Sequence, residues 1–360
     1  MNSEKRIEIF DSTLRDGAQS EGISFSVNDK LNIVKAIDDF GFDYIEAGNP
    51  GSNPKDLDFF NQASKLKLKN AKLCAFGSTA RYGIEPKDDA NIKSLLSANT
   101  PAVAIFGKSW DLHVTKILKI SLENNLELIE NTVSYLKSCG KEVIFDAEHF
   151  FDGYKENPAY ALSALEAAVK GGADTLVLCD TNGGCMPLEV YEITKVVVEK
   201  YPDKKIGIHC HNDTGCAVAN SMMAVEAGAV HVQGTFTGIG ERCGNADLSI
   251  IVPNLKLKKG LNCSGDVSSL FNCARKIAEI ANTQIDNSKP YTGASAFAHK
   301  AGMHIDGVLK LSRSFEHINP EAVGNQRRFL MSEVSGRSTV VEKIRYLAPH
   351  LSKDSPEIAE

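Results

Sequence analysis

A helix that closes on glycine and passes at once into a short apolar strand recurs in this chain, and that repetition narrows the possible folds more than any other feature. It occurs at Gly41 before residues 42–48, at Gly171 and Gly172 before residues 173–180, and at Gly228 before residues 229–235. Further strands fit residues 7–10, 72–76, 102–106, 142–145 and 205–208. The segments between them carry helix signals. Ser26, with Asp29 three residues on, forms a variant capping box ahead of Val27, Leu31, Val34 and Ile37 at helical spacing. Asn53 caps and Pro54 opens another helix, and Asn157-Pro158 opens one that carries Leu162, Leu165 and Val169. About eight strands, each followed by a helix, imply an α/β fold with a parallel sheet that closes into a (β/α)8 TIM barrel. A doubly wound open sheet is the alternative, but no Gly-x-Gly-x-x-Gly opens the first helix.

The rhythm stops near Lys259, so the barrel is expected over residues 1–260 and a smaller, mainly helical subdomain over residues 261–360. A chain of 360 residues at 42% hydrophobic can fill both. Residues 266–283 read as a single helix with Val267, Leu270, Ala274, Ile277 and Ile280 on one face. The stretch Ala298-His299-Lys300-Ala301-Gly302-Met303-His304-Ile305-Asp306-Gly307 is polar and glycine-rich, poor helix material and good site material. Residues 351–360 read as a loop and the first turn of another helix.

A net charge of -6 and a pI near 5.9 supply no basic field for nucleic acid or an anionic membrane surface. The short basic run at residues 255–259 marks a solvated helix end. No run of about 18 apolar residues is present to span a membrane, and Met1-Asn2-Ser3-Glu4-Lys5-Arg6 leads into a strand rather than a signal segment. Nine cysteines without a Cys-x-x-Cys pair suit a reduced, cytosolic chain. Cys179, Cys185, Cys210, Cys216 and Cys243 read as small apolar packing residues.

Placed on a barrel, the polar residues sort to one end. Arg15 and Asp16 follow strand one, Glu46 ends strand two, Glu148 and His149 follow strand five, Asp180 and Thr181 end strand six, and His209 and His211 end strand seven. Gly238-Ile239-Gly240-Glu241-Arg242-Cys243-Gly244-Asn245 follows strand eight, with Gly240 and Gly244 shaping its turn. All lie at strand carboxyl ends, where barrel enzymes carry their active sites. Asp16, His209 and His211 offer one carboxylate and two imidazoles, a set that binds a divalent metal and leaves positions open for substrate. A carbonyl bound there would be polarised, Arg15 could stabilise the developing oxygen charge, and Glu148 could move protons. The bland alternatives are a hydrogen-bonded histidine pair at a core rim, a surface ion pair at Arg15-Asp16, and a buried structural carboxylate at Glu148. Thr181 could bind a substrate carboxylate or only cap a turn.

The strings Asp11-Ser12-Thr13-Leu14-Arg15-Asp16-Gly17-Ala18-Gln19, His209-Cys210-His211-Asn212-Asp213 and Gly240-Glu241-Arg242-Cys243-Gly244-Asn245 resemble the signatures of the Claisen-condensing, metal-dependent barrel family. That family holds 2-isopropylmalate, homocitrate and citramalate synthases with hydroxymethylglutaryl-CoA lyase. The resemblance runs from about residue 5 to residue 340. Ile105-Phe106-Gly107-Lys108-Ser109-Trp110-Asp111-Leu112-His113, Phe145-Asp146-Ala147-Glu148-His149-Phe150-Phe151-Asp152-Gly153 and His299-Lys300-Ala301-Gly302-Met303-His304 look most like the citramalate synthase branch. It implies an acyltransferase of branched-chain amino-acid biosynthesis, which condenses acetyl-CoA with a 2-oxo acid and hydrolyses the thioester. Pyruvate is the first expectation for the oxo acid and 2-oxoisovalerate the second.

By the same resemblance Asp16, His209, His211 and Asn245 would hold the metal, which would be Mn, Mg or Zn. Arg15, Gln19, His149 and Thr181 would bind substrate. Glu148 would assist proton transfer, and His304 would reach a partner subunit's barrel as an acid or base in a homodimer. A loop histidine is the alternative for His304. Two departures matter: the chain ends before the C-terminal domain that binds the end-product amino acid in such synthases, so feedback inhibition is not expected, and Glu148-His149 stands where isopropylmalate synthases carry Glu-Asp. Two other functions compete with this one. A lyase would run the reverse cleavage, with Cys243 nearest to a reactive cysteine, and a non-catalytic metal or acyl-CoA binding protein would have kept the barrel alone.

Overall fold

In a strand buried on both faces nearly every side chain must be apolar, and the short runs of Val, Ile, Leu, Ala and Phe identified above meet that condition. A computed structural model of the chain describes residues 6–330, 341, 348–352 and 355–359. It contains β1 (Glu8–Asp11), β2 (Tyr44–Glu46), β3 (Lys72–Ser78), β4 (Ala102–Lys108), β5 (Glu142–Glu148), β6 (Thr175–Asp180), β7 (Lys205–Cys210) and β8 (His231–Gly234). All pair in parallel in sequence order, and β8 closes on β1 through Glu8↔His231 to Asp11↔Gly234. The sheet is therefore the closed barrel that the repeating phrase implies, not an open one. Phe10, Tyr44, Cys74, Ala102, Ala104, Ile144, Val177 and Cys179 fill its interior.

The helix starts follow local chemistry. Helix α1 (Val27–Phe40) has the Ser26–Asp29 capping box, and Gly41 ends it in the left-handed region at φ 98°. Asn53 caps α2 (Pro54–Ala63) and Asp89 caps α3 (Ala90–Ser97). Then come α4 (Leu122–Ser138), α5 (Phe150–Glu156) and α6 (Pro158–Gly171), the last capped by Asn157. Helices α7 (Pro187–Lys200), α8 (Ala217–Glu226) and α9 (Leu248–Pro253) complete the outer ring. No helix among the described residues is long and apolar enough to cross a membrane.

The glycine pair of the repeated phrase does two different jobs. Gly172 takes φ 94°, and Gly171 lies where a Cβ would be 2.7 Å from the Glu130 carbonyl oxygen and from Val133 Cβ on α4. Alanine inside a helix normally gains about 1 kcal/mol over glycine. Gly171→Ala is expected instead to cost about 1–3 kcal/mol through overpacking, read as a lower urea midpoint with an unchanged slope.

Five strands outrun their apolar pattern. β5 continues through Asp146 and Glu148 because the ladder with β4 continues, pairing Phe106↔Asp146 and Lys108↔Glu148. Backbone pairing is indifferent to polarity once the side chains face an open barrel mouth, so Glu148 is the last residue of β5 rather than part of the loop. Residues 266–283 also differ from the single helix expected. Asp266 Oδ1 accepts from the Ser268 N–H at 3.0 Å and from its hydroxyl at 2.7 Å, which holds Val267–Ser269 in a 3-10 turn before α10 (Leu270–Ile280) begins.

Two compact units result, Met1–Gly265 with Lys276–Thr283, and Asp266–Arg275 with Gln284–Glu360. In the second, the stretch read as poor helix material carries a short strand β9 (Ala298–His299), paired in parallel with β10 (Arg328–Phe329), and then helix α11 (Gly302–Lys310). Ile305 and Val308 are buried at helical spacing, and Gly307 is needed because a Cβ there would overlap the Phe315 ring. A glycine required for packing was read as a helix breaker. A helical turn, Pro356–Ala359, stands where one was expected, while residues 5 and 331–340 of the resemblance lie outside the described residues.

Candidate active site

The loop after β1 is tied down by its own first residues. Asp11 accepts from the Thr13 N–H at 3.0 Å and its hydroxyl at 2.9 Å, and the Ser12 carbonyl accepts from the amides of Arg15, Asp16 and Gly17. Burial pushes the Asp11 carboxyl up to about 7. Arg15 and Asp16 are thereby delivered to the barrel mouth, with side chains only 13% and 2% exposed. Arg15 is no surface ion pair. Its Nε donates to Glu46 Oε2 at 2.7 Å, its Nη1 to Asp16 Oδ2 at 3.1 Å, and its guanidinium lies 3.8 Å over the Phe76 ring. The Ser12 hydroxyl donates to the same Glu46 oxygen.

Strand β7 brings His209 to this point, and His211 follows, bridged through its backbone to Asn245. His209 Nε2 is 3.3 Å and His211 Nε2 3.7 Å from Asp16 Oδ2, and the two ring nitrogens are 3.5 Å apart. Donors at about 2.1 Å from a shared ion would stand about 3.0–3.4 Å from one another. The three side chains therefore need almost no movement to grip a divalent ion. Among the described residues Asp16 Oδ1 and Asn245 Oδ1 are also buried without a hydrogen-bond partner, which is what waiting ligands look like. The charges agree. Burial works against the Asp16 carboxylate, yet Arg15, His209 and His211 hold it well below the usual range. Burial and neighbouring His209 push His211 down to about 4, which leaves it a neutral imidazole.

Around this cluster is a cavity of about 250 Å³ lined by Arg15, Asp16, Gln19, Phe76, Phe106, Asp146, Glu148, Thr181, His209 and His211, with Cys179 and Glu241. Glu148 is paired there with Lys108, and Phe76 and Phe106 stack with centroids 5.4 Å apart. The Thr181 hydroxyl accepts from the His149 N–H at 2.9 Å, so this residue faces the cavity and fixes a turn at once. Burial and neighbouring Glu46 push Asp146 up to about 7.

Two expected residues stand elsewhere. His149 takes φ 56°, and its ring packs against His113 at 4.3 Å and Trp110, with Nδ1 3.2 Å from Asp152 Oδ2, off the cavity lining. His304 is exposed on α11 in the second unit, stacked on Phe315 at 4.4 Å. Asn245 supports the site from the loop after β8, where a Cβ on Gly240 would strike its amide and Gly244 adopts φ 90°. Arg242 fastens the same loop, donating to Asp213 at 2.8 Å and to the Thr181 carbonyl at 2.8 Å. All nine cysteines are free, and Cys179, Cys185 and Cys210 are buried as packing residues. Cys216 is half-buried and Cys243 exposed, so packing does not account for those two.

Phe106, Lys108 and Asp146 enter the sequence reading only as letters of the resemblance motifs, with no role, and Phe76 and Gln233 only as strand residues. Period-two counting puts Ile144, Asp146 and Glu148 on one side of β5 and His231 and Gln233 on one side of β8, but not which groups they meet across the barrel.

The HMGL-like family model matches residues 6–282, and the homocitrate synthase post-HMGL domain-like model matches residues 291–358. An (R)-citramalate synthase of Aquifex aeolicus is 55% identical over 98% of this chain and 67% of its own length. A probable 2-isopropylmalate synthase of Methanopyrus kandleri is 34% identical over 97% of this chain and 67% of its own. Among solved structures, the HMG-CoA lyase of Bacillus subtilis matches with a TM-score of 0.67 at 20% identity, covering 79% of this chain and 97% of that one, a likeness of fold. The chain spans about two thirds of the length of the curated relatives it matches.

Proposed function

The chain belongs to the HMGL-like family, and from that premise we propose that it is an acyltransferase of branched-chain amino-acid biosynthesis. It would condense acetyl-CoA with pyruvate, consume one water and release citramalate and CoA. The observation that carries this reading is one cavity in which Asp16, His209 and His211 converge beside Arg15 and Glu148. At about 250 Å³ it lies just below the roughly 300–1,000 Å³ usual for ligand cavities, which suits a three-carbon oxo acid. The relatives support the substrate, with citramalate synthases at 55% and 51% identity against 34% for the isopropylmalate relative.

A divalent ion, Mn, Mg or Zn, held by Asp16, His209 and His211 with Asn245 as a further ligand, would supply Lewis-acid polarisation of the keto group. The remaining chemistry belongs to the chain. Arg15, already locked by Glu46 and Phe76, would meet the negative charge that develops on the keto oxygen without reorganising. Thr181 would hold the oxo-acid carboxylate, and Gln19 would bound the same substrate. Glu148 Oε would take a proton from the acetyl methyl group, whose carbon then attacks the keto carbon. Phe76 and Phe106 would exclude water from the pyruvate methyl group. His304 would act on the thioester from the partner subunit of a homodimer, and a light-scattering mass of one chain would remove that role.

Release of free CoA thiol from acetyl-CoA tests the proposal, with pyruvate, 2-oxoisovalerate and 2-oxoglutarate offered separately. Release with pyruvate alone, lost on chelation, is expected. Release with 2-oxoisovalerate alone would transfer the chain to isopropylmalate synthesis, and silence with all three would count against the synthase reading.

A further inference from the structure

Hydrogen-bond direction is conserved along a buried chain of groups, and one such chain runs behind the metal-binding cluster. His209 Nδ1 lies 3.0 Å from Gln233 Oε1, and Gln233 Nε2 lies 3.0 Å from Asp146 Oδ1. Gln233 is fully buried and Asp146 is 4% exposed, so bulk water offers Gln233 no substitute partner. The backbone sets the spacing, since His209 and Gln233 are register partners across β7 and β8.

We propose that Gln233, oriented by Asp146, is a positioning residue that fixes the His209 proton on Nδ1 and so keeps Nε2 free as a metal donor. An ionised carboxylate only accepts, so Asp146 must face the amide nitrogen of Gln233. The amide oxygen then turns to His209, and an oxygen requires a donor. Nδ1 must carry a proton, so the neutral ring presents its Nε2 lone pair to the space shared with Asp16 Oδ2 and His211 Nε2. Without the chain, a neutral imidazole could place its proton on Nε2 beside Asp16, the arrangement that blocks ligation. This inference rests on the metal-site reading above.

The test compares Mn²⁺ affinity of the full chain, by calorimetric titration at pH 8, above the value of about 7 to which burial pushes Asp146, for wild type, Gln233→Met and the double variant Gln233→Glu/Asp146→Asn. The double variant reverses donor and acceptor between the two positions yet still offers His209 an acceptor. Gln233→Met is expected to weaken Mn²⁺ binding about 10–100-fold, and the double variant to stay within about threefold of wild type. ¹⁵N spectra of the metal-free chain are expected to show the His209 proton on Nδ1 in wild type and the double variant, and displaced in Gln233→Met. If Gln233→Met does not fold, the double variant and the wild-type tautomer decide alone. Equal affinity of wild type and Gln233→Met would overturn the inference and leave the metal site standing. So would a double variant that binds Mn²⁺ as weakly as Gln233→Met, or a wild-type His209 protonated on Nε2 alone. A wild-type chain that takes up no Mn²⁺ would sink the metal-site reading itself, and this inference with it.

Discussion

Asp16→Ala is expected to lower kcat/KM by about 10³-fold or more and to remove tight Mn²⁺ binding while leaving the barrel folded. Asp16 is the one anionic member of the cluster, within 3.3 and 3.7 Å of the two imidazoles, so its loss takes both a ligand and the charge that favours a dication over bulk water. Polarisation of a carbonyl by a bound ion contributes several kcal/mol, and each 1.36 kcal/mol is tenfold in rate. Folding should survive because Arg15 keeps Glu46 as a partner at 2.7 Å. Steady-state kinetics with pyruvate and acetyl-CoA, beside a thermal melt, measures both halves. Activity within about tenfold of wild type would contradict the role given to Asp16.

Arg15 is expected to show the second large effect, on stability as well as rate. Arg15→Met removes a preorganised charge from the cavity, a loss of about 10²–10³ in kcat. It also strands Glu46, whose side chain is fully buried, at a cost of about 3–5 kcal/mol for an uncompensated buried charge. The double variant Arg15→Met/Glu46→Gln separates the two, since a neutral amide removes the stranded charge. Stability in urea should largely return, and activity should not. Arg15→Lys should fall between, because one ammonium cannot serve Glu46 and Asp16 as a fork does. Activity that recovered with stability in the double variant would show that Arg15 acts on the fold alone.

The sequence carried the barrel because its signals are local and repeated. Gly41, Gly172, Ser26, Asn53 and Asn157 all perform the capping roles their types suggest. The metal cluster was legible for a different reason: His209 and His211 are two apart at a strand end, and fold topology brings Asp16 to meet them. What stayed hidden depends on contacts between distant strands. Asp146 and Gln233 gain meaning only because β5 and β8 project them toward His209, 63 and 24 residues away in sequence. Lys108 becomes informative only through its register with Glu148. Gly307 misled for the converse reason, since it serves the Phe315 ring rather than a turn.

Anomalous scattering at the manganese edge, from crystals grown with Mn²⁺ and pyruvate, tests the central claim most directly. One strong peak is expected among Asp16, His209 and His211, with Asn245 near it and pyruvate lying between the peak and Arg15. A fully occupied pyruvate in this cavity with no peak beside it, or a peak held by other residues, would contradict it.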